Sequence, residues 1–187
     1  MALSPDQAGR FADLLKASTD HLVGLWTDEV AQGLRGRLSH AELQRQTSEL
    51  LRGFTATLAA GAADLDGDAA AELRAMLTEL STSRARQGFT ATETAISVYA
   101  LKDALLRVLE DDQRTDADGL RDYVEFARFV DQAALVTFDS YVRVREELMA
   151  DQAEQLLELS TPVVKLSGRA WSRFRWSARW TRPAPRW

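Results

Sequence analysis

Between Leu120 and Thr161 the chain has neither glycine nor proline. Nothing in that stretch breaks a helix, and at 1.5 Å of rise per residue it spans about 60 Å. That is longer than one small domain is wide, so the fold must be arranged around or beside this helix. Its first half carries Tyr123, Phe126, Phe129, Val130, Leu135, Val136, Phe138 and Tyr141. Large apolar groups at helical spacing build a core or a dimer interface. The second half is sparser, with Val144, Leu148, Gln152, Gln155 and Leu159 near a coiled-coil seam, and reads as a linker. Pro162 ends the helix, because proline lacks an N–H and disfavours helical geometry in the residue before it. Val163-Val164 then reads as the start of a strand.

The rest of the chain up to that helix is also helical in pattern. Ser4-Pro5 supplies an N-cap and an N1 proline, and Phe11, Leu14, Leu15, Leu22, Leu25 and Trp26 follow at spacings of three, four and seven. This predicts one amphipathic helix ending near Gly33 to Gly36. Ser39 with Glu42 opens a second, carrying Leu43, Leu50, Leu51, Phe54 and Leu58. A third runs from about Asp68 to Arg86 on Leu73, Met76, Leu77 and Leu80, and Gln87-Gly88 closes it. Thr90 with Glu93 opens a fourth, with Ile96, Tyr99, Ala100, Leu105, Leu106 and Leu109 on its buried face, and an acidic turn at Asp111 to Asp118 ends it. The long helix is then the fifth.

A chain of 187 residues, 45% hydrophobic and 27% charged, is of a size and composition for one globular domain with an appendage. Cysteine is absent, so disulfides and thiolate metal sites are impossible. No leader peptide is read at the N-terminus, and no run of about 18 apolar residues that would span a membrane. Residues 1–166 hold 17 Lys and Arg against 28 Asp and Glu. That excess of acid argues against nucleic acid as the partner of the body.

The segment SRARQGFTATETAISVYALKDALL, Ser83 to Leu106, and the later REELMADQAEQLLELSTPVVKL resemble the N-terminal domain and linker of RsbR-type stressosome co-antagonists. The Gln87-Gly88-Phe89 turn and Glu158 to Pro162 are the sharpest pieces, within a likeness that covers nearly all of residues 5–166. The resemblance implies an all-α, globin-like bundle of about five helices without haem, paired as a homodimer and followed by a STAS domain. It implies a non-enzymatic, cytoplasmic role in stress signalling, with other STAS proteins and a switch kinase as partners. Divided on that basis, the chain has a helical sensory domain at 4–145, a linker helix at 146–161, a vestigial STAS start at 162–166 and a tail at 167–187.

That tail departs from the family pattern. Ser167 to Trp187 holds six arginines, four of the five tryptophans and no acid. A reading frame displaced by two bases, written with GC-rich codons, turns it into GTGVVAVPVVGTLDSARAQV, which looks like a STAS start. Tryptophan has a single codon, so Trp180-Thr181 must give Asp in that frame whatever else is chosen. The tail thus reads as out of frame, the STAS domain as truncated, and binding of the kinase as lost. The alternative is a natural Arg/Trp tail that binds a membrane surface or nucleic acid.

Candidate chemistry is thin. His21 and His40 fall on different helices without a second ligand at metal spacing and read as surface residues. Asp64, Asp66 and Asp68 read as a solvated turn rather than a calcium loop. No catalytic, metal or cofactor site is expected. Tyr123, Phe126, Phe129, Val130, Phe138 and Tyr141 form a candidate dimer interface or ligand pocket, and Ser160, Thr161 and Pro162 the linker junction, with Thr161 a conceivable phosphorylation site. Arg84, Arg86 and Lys102 could meet an anionic effector or simply lie on an exposed charged face.

Overall fold

The computed structural model describes residues 3–62, 64–112 and 117–160. Among them are six α-helices and no strand: α1 (Pro5–Ala17), α2 (Thr19–Leu34), α3 (His40–Ala59), α4 (Ala71–Arg86), α5 (Ala91–Asp111) and α6 (Ala117–Ser160). A single 3-10 turn, Asp68–Ala70, leads into α4. The all-α expectation therefore holds, with one helix more than the sequence pattern predicts.

The extra helix comes from a break at Ser18. There the backbone leaves helical geometry at φ −109° and ψ 19°, and the Thr19 hydroxyl donates to the carbonyls of Leu15 at 2.8 Å and Lys16 at 3.0 Å. Side-chain bonds of this kind compete with the helical ladder. The sequence conceals the break because the buried positions stay in phase across it: Phe11, Leu15, Leu22 and Trp26 are all interior. Helix starts are more legible. Ser4 and Gln7 form a reciprocal capping box with Pro5 in the first turn, and Thr90 and Glu93 form another at the head of α5. Ser39 accepts from the Glu42 N–H at 3.2 Å at the head of α3.

The chain up to Asp151 forms one compact unit. Within it α1 and α2 pack on α3, α2 on α5, and α4 on both α3 and α5. Aromatic side chains occupy the centre: Phe11 lies 4.9 Å from Phe126, Trp26 meets Phe54 edge-on at 6.3 Å, and Phe54 meets Phe129 edge-on at 6.1 Å. The Trp26 indole N–H donates to the Ser97 carbonyl at 2.7 Å, so the largest core residue leaves no unpaired donor. Burying each such side chain is worth about 1.5–3 kcal/mol. The second unit begins at Gln152, and its described part is the end of α6, where Leu156 and Leu157 are exposed. Thr161 to Trp187, with the expected strand start and the Arg/Trp tail, lie outside the described residues.

α5 corrects one further expectation. Ile96 is exposed, and Tyr99 and Leu106 are only partly buried, whereas Val98, Leu101, Ala104, Leu105 and Val108 are interior. Apolar residues nearly encircle this helix, so spacing alone does not select the face that the neighbours cover. α6 also starts earlier than expected, at Ala117, and takes in Gly119.

Candidate functional site: the two faces of α6

One face of α6 belongs to the core. Phe126, Phe129, Val130, Ala133, Ala134, Thr137 and Tyr141 are buried, at the three-and-four spacing that keeps them on one side. Polar ties hold that side in place. Arg10 pairs with Asp122 at 2.7 Å and Gln7 donates to the same carboxylate at 3.0 Å. Lys102 pairs with Asp131 at 2.6 Å, and the Ser81 hydroxyl donates to the Thr137 carbonyl at 2.8 Å.

A second face of the same helix is apolar and uncovered. Leu135 is 59% exposed, Phe138 41%, Val142 38% and Met149 59%. Steps of three, four and seven between them are those of a heptad seam, and they trace a stripe roughly a third of a turn around from the core face. Asp131 and Arg145 fall on the same stripe, and Asp131 is neutralised by Lys102.

The turn between α4 and α5 is the second organised feature. Gly88 has φ +76°, its N–H bonds the Ala85 carbonyl at 3.2 Å, and the Phe89 N–H reaches back to the Arg84 carbonyl at 3.0 Å. This is a Schellman cap, which requires the left-handed residue that glycine supplies at least cost. Phe89 is thereby buried under two guanidiniums, Arg37 at 3.8 Å and Arg84 at 4.7 Å from its ring centre. Arg37 also donates to the Gly88 carbonyl at 3.0 Å, and the Tyr141 hydroxyl of α6 donates to the Phe89 carbonyl. The turn thus ties the loop after α2 to α4, α5 and α6.

A comparison with family models matched residues 16–156 to the RsbT co-antagonist protein rsbRD N-terminal domain, about three quarters of the chain. The chain belongs to this family. No curated protein and no solved structure matched it. The matched stretch runs from Lys16, in the last turn of α1, to Leu156, within α6, so most of it falls on elements described above, and the hub turn at Gln87 to Phe89 lies inside it.

Placed on this rsbRD domain, the sequence-predicted residues separate. Phe126, Phe129 and Val130 are core, Tyr123 is partly buried with its hydroxyl donating to the Lys102 carbonyl at 3.3 Å, Tyr141 is tied to Phe89, and Phe138 alone is exposed. Burial and the charges of Asp103 and Asp131 raise the Tyr123 hydroxyl above its ordinary pKa. Of the seam expected at Val144, Leu148, Gln152, Gln155 and Leu159, Val144 and Leu148 are half-buried and continue the core face, Gln152 and Gln155 are exposed, and the Leu159 side chain lies outside the described residues; the stripe from Leu135 to Met149 is a different one. Its heptad spacing was present in the sequence but lay beside a richer core stripe. Ser160 ends α6 as described, and Thr161 and Pro162 lie outside the described residues.

His21 and His40 are exposed, facing Asp111 at 3.8 Å and Asp28 at 3.2 Å. Asp64 accepts from the Asp66 N–H at 3.0 Å, the geometry of an Asx turn. Among the described residues no group of three His, Asp or Glu side chains could hold a metal ion, and no helix is long and apolar enough to cross a membrane. Of the three basic residues read either as meeting an anionic effector or as an exposed charged face, Arg86 is exposed and Lys102 is paired, whereas Arg84 is buried.

Proposed function

We propose that the chain is a non-enzymatic regulatory domain that pairs with a second copy of itself along the exposed face of α6 and signals through that helix to STAS-type partners. The observation that carries this reading is the stripe of Leu135, Phe138, Val142 and Met149 on a helix whose other face is fixed in the core. Family membership supports the stressosome setting. The globin-like, haem-free character of the body and the domain division at 145 and 161 belong to the same proposal. So does the reading of residues 162–187 as a STAS start followed by an out-of-frame tail, with the consequence that this chain retains no switch kinase.

A regulatory pair must send both helix ends the same way, so the two copies of α6 run parallel. In that arrangement each Val142 faces its counterpart. Because the chain has no cysteine, Val142→Cys introduces a single thiol. Mild oxidation is expected to yield a disulfide-linked dimer, and Leu135→Glu with Phe138→Glu to yield a monomer by sedimentation with unchanged helix content. A chain that sediments as a monomer at every concentration, or a dimer indifferent to the two glutamates, would sink this reading.

A further inference from the structure

Three charged side chains lie on the heptad stripe of α6 between residues 128 and 149, and two of them are answered within the chain. Arg128 pairs with Glu125 at 2.8 Å and Asp131 with Lys102 at 2.6 Å. Arg145 is the third. It is exposed between Val142 and Met149, and among the described residues it has no ion pair. Its own helix cannot supply one, because the residues three and four positions away are Tyr141, Val142, Leu148 and Met149, none of them acidic. A lone arginine in an apolar stripe opposes any pairing along it unless the partner brings an acid to the same place.

A second copy of the same helix brings one. On the heptad frame of the stripe, Leu135, Val142 and Met149 are a positions, and Phe138 and Arg145 are d positions. The g positions, Ala134, Tyr141 and Leu148, belong to the core face, so the usual charge ladder from g to e between helices cannot form. The e positions, Gln132, Asp139 and Glu146, are exposed, and in a parallel pair a d side chain packs beside the e residue of the facing helix. With the helices flush, Arg145 of each copy meets the partner's Glu146, and symmetry makes the contact twice. Glu146 is likewise without an ion pair among the described residues. A slip of one heptad would answer one arginine with Asp139 and leave the other beside Ala153, so the flush register alone satisfies both.

We propose that Arg145 and the partner's Glu146 form two ion pairs that hold the copies of α6 parallel and in register. This rests on the pairing proposed above and adds its selectivity. The apolar stripe attracts, and the two charges choose a helix that carries an acid directly after the position facing Arg145.

Sedimentation equilibrium of the full chain tests this, with Arg145→Glu, Glu146→Arg and the doubly substituted chain beside the parent. Both positions are exposed, so helix content by circular dichroism should not change. Each single substitution sets like charges against each other at the seam and should weaken self-pairing by about tenfold or more. Equimolar mixing of the two single variants should restore the parent affinity, because the new glutamate of one chain then faces the new arginine of the other. The double substitution, which reverses both charges, should pair as the parent does. Net charge alone acts otherwise: on a chain at −5, Glu146→Arg would reduce repulsion and strengthen pairing. A parent that stays monomeric at every concentration overturns the pairing and this assignment with it. A parent dimer whose single variants pair as tightly as it does, or whose mixed variants pair no better than each alone, overturns the assignment and leaves pairing along the stripe standing.

Discussion

Phe126 and Arg84 are both buried, and their substitutions should act in opposite directions. Phe126 stacks on Phe11 with no exposed surface, so Phe126→Ala should cost about 3–5 kcal/mol in urea unfolding, the sum of lost transfer energy and a cavity. Arg84 has two orphaned donors, and an apolar group of similar length relieves its desolvation. Arg84→Met should therefore leave stability within about 1 kcal/mol of the parent or raise it. A loss of 3 kcal/mol or more would show that the arginine is a structural member of the core. Phe126 was legible in the sequence because a phenylalanine at helical spacing has few places to go. Arg84 was not: arginine is ordinarily a surface residue, and nothing nearby in the sequence announces that α3 and α5 will close over it.

Individual elements differ in how far their own residues determine them. The caps at Ser4, Ser39 and Thr90 and the stop at Gly88 are local chemistry, and all four were readable. Gly88→Ala should cost about 1 kcal/mol, since alanine pays for φ +76° where glycine does not, and thermal unfolding would register it. The break at Ser18 and the buried face of α5 depend on neighbours that spacing cannot supply. Two carboxylates tie elements together and respond to acid. For Asp122, burial acts upward but is outweighed by the hydrogen bonds from Arg10 and Gln7 and by the Arg10 charge, so its folded pKa lies below the ordinary value. For Glu93 the Thr90 backbone and side-chain bonds, aided by Arg37, do the same. Groups with depressed folded pKa values contribute stability above the unfolded pKa, about 4, and lose it as pH falls through the folded value. The stability of the parent should thus fall more steeply below about pH 4 than that of Asp122→Asn, measured by urea titration at stepped pH.

At the scale of the whole molecule, α6 serves the core on one side and presents an apolar stripe on the other. Its existence and length were plain from the missing glycine and proline. Which stripe faced inward was not, because Val144 and Leu148 fit a seam as well as Leu135 and Phe138 do, and only the packed body separates them. The hub at Gln87 to Phe89 stood out in the sequence as part of a family pattern, and its geometry gives the reason: one turn joins four parts of the chain.

Two of the ties on α6, at Asp122 and at Tyr141, differ in what they would allow. Asp122 and Tyr141 are nineteen residues apart, about 28 Å along the axis. Asp118 and Glu125 lie one turn to either side of Asp122, so Arg10 would meet a carboxylate again after a slip of one turn. Phe89 would lose its donor. Thr137 is a ring too short to reach its carbonyl, and Arg145 would carry a charge into a site closed to water. The salt bridge is a sliding bearing and the tyrosine a detent: the register of α6 is fixed at Tyr141, not at Asp122.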